Sequence, residues 1–119
     1  MPMHISVLKK EVIEYLNPKP NENFIDCTVG EAGHTLAILE KTGPNGKVLG
    51  IDADPEVIRN LKLEIRNFEK RIVLTNDNFA NLGEIVKNTR FNYVNGILFD
   101  LGMSSGDLEE SGRGFSFLK

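Results

Sequence analysis

The chain has 119 residues, 40% of them hydrophobic and 26% charged, which is enough for one domain with a packed core and too few for two ordinary ones. Its net charge of −3 excludes a surface that grips a phosphate backbone by general charge, because such binding rests on clustered Lys and Arg displacing counterions; any nucleic-acid contact has to be local. A single cysteine, Cys27, excludes an internal disulfide, and neither a charged-then-apolar leader nor a run of about 18 apolar residues is present, so by elimination a cytoplasmic chain without a membrane segment is expected.

Within the segment from Val7 to Leu16, the residues Leu8, Val12, Tyr15 and Leu16 share one helical face, and Pro18 and Pro20 stop the helix; an N-terminal helix over residues 6–17 is expected. Phe24-Ile25-Asp26-Cys27 is a short apolar strand that opens into a glycine loop, Thr28-Val29-Gly30-Glu31-Ala32-Gly33, and His34 to Lys41 reads as the helix that follows. Gly43-Pro44-Asn45-Gly46 marks a turn, after which Lys47 to Ile51 is a second buried strand ending at Asp52. Asp54-Pro55-Glu56 combines an N-cap, a first-turn proline and a first-turn acid, predicting a helix from Pro55 to about Phe68. Arg71 to Leu74 is a third strand, Leu82 to Lys87 a further helix, and Gly96 to Asp100 a fourth strand. Strands alternating with helices at this spacing predict an α/β fold with a parallel sheet, right-handed crossovers and flanking helices.

From Asp100 onward the chain is rich in Gly and Ser and shows no periodicity, so residues 101–119 are expected to form an active-site loop. On that reading Gly96 to Asp100 is the last strand and the sheet is truncated after it, leaving an unpaired apolar edge open to self-association.

In open parallel sheets ligands sit at the carboxyl ends of the strands, where the strand order reverses, so the acids that end strands are the ones to follow: Asp26, Asp52 and Asp100. Gly30 and Gly33 allow close backbone approach to a ligand facing the amides of the next helix. Asp52 falls about twenty residues after the loop, where a carboxylate accepts the hydroxyls of an adenosine ribose. Gly30-Glu31-Ala32-Gly33 lacks the three-glycine pattern that seats a pyrophosphate, and the acids Asp26 and Glu31 would repel one. They suit the ammonium and sulfonium of S-adenosylmethionine instead. No His or second Cys is spaced to make Cys27 a ligand or nucleophile, so it reads as a small buried hydrophobe and no metal is expected.

Five segments carry a resemblance: Asp26 to His34, Gly50 to Pro55, Asn78-Phe79, Asp100 to Ser105, and Arg113 to Phe117. In order and spacing they resemble the bacterial small-subunit ribosomal RNA (cytosine-N4)-methyltransferases, and the match runs essentially end to end. The resemblance implies a Rossmann-like S-adenosylmethionine-dependent enzyme that methylates N4 of a cytidine in 16S ribosomal RNA or the small ribosomal subunit. It implies cofactor contacts at Ala32, Gly33, His34, Asp52, Phe79, Asp100 and Asp107, with Asp100 also at the reaction edge, where a carboxylate can accept the protons of the cytosine amino group. Glu31 and Ala32 stand where the family usually has glycine, Gly106-Asp107 where Pro-Gln is common, and Ser6 where proline is usual. The family continues well past Phe117, which makes residues 1–119 the N-terminal part of a catalytic domain, with its cofactor-binding βα units over residues 23–100. Two other classes stay open on these residues: a non-catalytic cofactor-binding or interaction module, and a nicotinamide-dependent oxidoreductase.

Overall fold

The computed structural model describes residues 10–27, 29, 33–91, 93–100 and 115–118. Residues 10–16 are helical (α1). They are followed by β1 (Phe24–Asp26), α2 (His34–Lys41), β2 (Val48–Asp52), α3 (Pro55–Glu64), a 3-10 segment (Arg66–Arg71) and β3 (Ile72–Asn76). A 3-10 turn (Phe79–Asn81), α4 (Leu82–Thr89), β4 (Gly96–Asp100) and β5 (Phe115–Leu118) complete the described chain.

The sheet order is β3-β2-β1-β4-β5. The first four strands are parallel, as expected, and β1 lies between β2 and β4. The order therefore reverses at β1: the chain steps outward through β2 and β3, then returns to the other side of β1 as β4. Two apolar clusters pack the two faces. Val12 and Leu16 of α1 and Ile38 and Leu39 of α2 meet Phe24, Val48 and Leu98 on one side. Ile85 of α4 and Phe91 meet Ile25, Leu49 and Ile51 on the other. Strand residues alternate between these clusters, as the two-residue period of a strand requires. Near-continuous apolar runs in β1 and β2 follow from burial on both faces.

At the amino end, Asn23 ties three strands together. Its amide donates to Asn95 Oδ1 (2.9 Å), its Oδ1 accepts from the Lys47 amide (2.8 Å), and its carbonyl accepts from the Asn95 amide (2.7 Å).

Three expectations are corrected. The outer edge of β4 is not open: β5 pairs with it antiparallel, Ile97 opposite Leu118 through Asp100 opposite Phe115. The apolar Phe115-Ser116-Phe117-Leu118 run satisfies that edge, which removes the basis for self-association through it and replaces the end of the expected loop with a strand. The sheet thus does not stop at its fourth strand. The helix expected to reach Phe68 ends at Glu64, because the chain tightens into the 3-10 segment and packs Phe68 against the α1–α2 cluster. Arg71 sits over that ring at 5.3 Å from its centroid and donates to Leu39 O (2.7 Å) and Gly46 O (3.0 Å), fastening the segment to the end of α2. The rest of the expected N-terminal helix, residues 6–9, and most of the expected active-site loop lie outside the described residues.

Candidate functional site

The carboxyl ends of β2, β1 and β4 are uneven. Asp26, the last residue of β1, stands opposite Gly50 and Leu98, so Asp52 and Asp100 each lie two residues further along their strands. At ~3.3 Å per residue the neighbours overhang β1 by ~6.6 Å, which leaves a notch at the point where the strand order reverses. Asp26 forms its floor. Its carboxylate is buried and accepts from the Thr35 hydroxyl of α2 at 2.6 Å.

The loop from β1 to α2 is seated from below. A Cβ at Gly50 would lie 2.7 Å from Val29 Cγ2 and 2.9 Å from Leu74 Cδ2, so only glycine lets the buried Val29 settle onto β2. Gly33 closes the loop as the N-cap of α2 in the left-handed conformation (φ 73°), where glycine carries no steric penalty. It supplies no side-chain cap, and the first turn of α2 holds no acid. His34 opens α2 with its side chain fully buried.

Asp52 is half-buried, and its Oδ1 accepts from the Asp54 amide at 2.9 Å. Asp54 in turn caps α3 through the Glu56 amide, as the sequence predicts, which leaves Asp52 without a helix-capping duty. The segment after β3 folds back over these ends. The Asp77 amide donates to the Asp52 carbonyl at 3.0 Å, and Asp77 Oδ1 accepts from the side-chain amide of Asn81 (2.8 Å) and the Asn78 amide (2.6 Å), which hold its carboxyl below the usual carboxylate range. Asn78 caps the 3-10 turn through the Ala80 amide, and Phe79 follows, 49% exposed. That ring stacks on Phe99 of β4, with centroids 6.0 Å apart and planes at 22°.

Cys27 lies beside the notch with its thiolate form disfavoured. Burial first, and then the negative charge of Asp26, push its thiol from an ordinary 9.0 to about 12. A cavity lined by Lys62, Ile65, Arg66, Glu69, Ile72 and Leu74 lies beside the first half of β3, away from the strand ends.

The structure therefore brings together Gly33, the His34 amide, Asp52, Phe79 and the backbone of Asp100 around one notch. Ala32 and Asp107 lie outside the described residues. Sequence reasoning missed Phe99, Thr35 and Asp77. Phe99 carries a readable signal: it shares the strand alternation of Ile97, which belongs to the α4 face.

The fold is that of the Rossmann-like methyltransferases. The C-terminal domain of precorrin-6Y C5,15-methyltransferase from Rhodobacter capsulatus superposes with a TM-score of 0.61 at 12% identity, covering 93% of this chain and 83% of that one. An RNA methyltransferase from Salinibacter ruber, solved in complex with S-adenosyl-L-homocysteine, superposes with a TM-score of 0.56 at 11% identity, covering 92% and 88%. More narrowly, the chain belongs to the MraW methylase family, which it matches over residues 1–119. It is 45% identical over 114 residues to the ribosomal RNA small subunit methyltransferase H of Dehalococcoides mccartyi, covering 96% of this chain and 33% of that protein. The chain spans about a third of the length of the curated relatives it matches. Membership in this family sets aside the nicotinamide-dependent reading. Among the described residues no helix is long and apolar enough to cross a membrane.

Proposed function

We propose that this chain supplies the S-adenosylmethionine-binding part of a cytoplasmic methyltransferase acting on N4 of a cytidine in 16S ribosomal RNA of the small subunit. The observation that carries the reading is the notch itself: a half-buried carboxylate, Asp52, at the end of β2, with helix capping left to Asp54, beside the glycine-capped start of α2.

The residues present fit the cofactor. Asp52 accepts from the ribose hydroxyls, and Phe79 offers an exposed aromatic face beside the adenine. The amides at Gly33 and His34 receive the carboxylate of the methionine part, as helix N-termini do for anions. The buried negative charge of Asp26 favours the cationic end of the same molecule and opposes a pyrophosphate. Ala32 and Asp107 are assigned to cofactor contact by the family resemblance alone.

Bound S-adenosylmethionine supplies an electrophilic methyl group on sulfur. The protein's task is to align an acceptor nitrogen with it, since in-line displacement gains most from orientation. Bonding of the cytosine nitrogen to that methyl carbon would release the carbon–sulfur electron pair to sulfur. The amino group then holds one proton too many. Asp100, at the overhanging end of β4, is assigned as the acceptor that orients the amino group and takes that proton.

Isothermal titration of the chain with S-adenosylmethionine tests the cofactor assignment. Saturable binding is expected, and no binding at millimolar ligand overturns it. Methyl transfer to small-subunit particles tests the activity separately. Binding without transfer would support a second reading, a cofactor-binding module without activity of its own.

A further inference from the structure

We propose that Phe99 is a positioning residue for the cofactor: it braces Phe79, so that the Phe79 ring meets the adenine at a fixed height above the notch. The inference rests on the cofactor reading above and adds a residue to it.

The argument starts from chain direction. β3 is separated from β4 by two strands, so Phe79, three residues after β3, has to travel back across the ends of β2 and β1 to reach β4. On that path the Asp77 amide meets the Asp52 carbonyl, the Asn78 side chain accepts from the Ala80 amide, and the Phe79 carbonyl accepts from the Leu82 amide. The turn that carries it is one turn of 3-10 helix, which is short and has poorer hydrogen-bond geometry than an α-helix. Phe79 is half exposed. An aromatic side chain on such a segment has several rotamers open to it unless something occupies its other side.

Phe99 occupies that side. With centroids 6.0 Å apart and planes at 22°, the two rings are offset and near parallel, inside the range in which aromatic pairs attract beyond simple burial. Phe99 belongs to β4 and is paired there on one flank, opposite Ser116 of β5, one residue past Leu98, where the pairing with β1 ends. The pair therefore couples a ring on a short turn to a strand of the central sheet, and it closes the notch on the α4 side. Phe99 itself need touch no ligand for this: it acts through Phe79.

The test is a double-mutant cycle on the 119-residue chain, read as the affinity for S-adenosylhomocysteine and, in parallel, for adenosine alone. Phe99→Ala is expected to weaken both ligands by the same factor, roughly three- to ten-fold. In a Phe79→Ala background the same change is expected to have no further effect, because there is no ring left to hold. Phe99→Tyr is expected to restore wild-type affinity. Phe99→Leu keeps an apolar side chain while removing the stack, so it covers the case in which alanine unfolds the chain; weakened binding at an unchanged melting temperature is expected. Additive losses in the double variant would overturn the proposal, as would full affinity in Phe99→Leu. Failure of the wild-type chain to bind either ligand would overturn the cofactor reading and this inference with it, an outcome distinct from wild-type binding that is indifferent to Phe99.

Discussion

The Thr35 hydroxyl donates to the buried Asp26 carboxylate at 2.6 Å, joining the last residue of β1 to the second residue of α2. The bond spans the loop that the cofactor reading depends on, so it fixes where that loop begins and where it ends. A buried carboxylate that loses a donor retains its desolvation cost. Thr35→Val is therefore expected to destabilise the fold by ~1.5–3 kcal/mol in urea unfolding, while Thr35→Ser keeps most of the stability. Equal stabilities of the Val and Ser variants would show that the hydroxyl does not matter.

Asp52 should matter to ligand affinity more than to the fold. Asp52→Ala is expected to cost ~1.5–3 kcal/mol of S-adenosylmethionine affinity through lost charge-assisted hydrogen bonds. Calorimetric titration measures it, and an unchanged dissociation constant would sink the ribose assignment. Asp54→Ala is the contrasting variant. It removes the cap of α3 and should lower stability by ~1 kcal/mol with little change in affinity.

Gly50→Ala is expected to be destabilising although alanine favours strands no less than glycine does. The added methyl would press on Val29 and Leu74, and overpacking of this kind costs ~1–3 kcal/mol. Val29→Ala in the same chain should return part of that loss, because it removes one of the two clashing groups. Chemical denaturation of the two single variants and the double variant gives the coupling; strict additivity would mean that the loop does not sit on β2 in solution.

The Cys27 thiol gives the fold an alkaline signature. Below about pH 9 the thiol is protonated in both folded and unfolded chains. Between there and about pH 12 the unfolded thiol ionises while the folded one keeps its proton, so stability falls as pH rises through that window. Compared with Cys27→Ser, the wild-type chain should lose stability more steeply over that range, and its thiol should react with an alkylating reagent far more slowly when folded than when unfolded. Rapid labelling of the folded chain near pH 8 would contradict the burial of this group.

The parallel order and the acids at the strand ends were readable because each element carries its own local signal. Asp54-Pro55-Glu56 announces α3, and the structure places its cap there. Gly96 to Asp100 is an apolar run of strand length, and β4 has those bounds. What escaped depends on pairing between distant segments. Phe115 to Leu118 is too short and too glycine-flanked to read as a strand, and becomes one because β4 offers it a partner. The early end of α3 has the same origin: no residue near Glu64 forbids a helix, but Phe68 and Arg71 gain more by packing against α2 than by continuing it. At the site, Asp52 and Phe79 were legible from spacing and resemblance, whereas Phe99 acquires its role only through the ring it meets.

Asn23 has a consequence for how the molecule breathes. Because one side chain and its own peptide groups close the amino ends of β1, β2 and β4 together, opening there requires the three strands to separate at once. At the other end the strands stop at different lengths and can fray one at a time. Amide protons near Asn23 and Lys47 should then exchange by global unfolding, and those near Asp52 by small local openings. A ligand that bridges the uneven ends would slow exchange only where it sits, so the binding surface can be mapped residue by residue against a scaffold that stays silent.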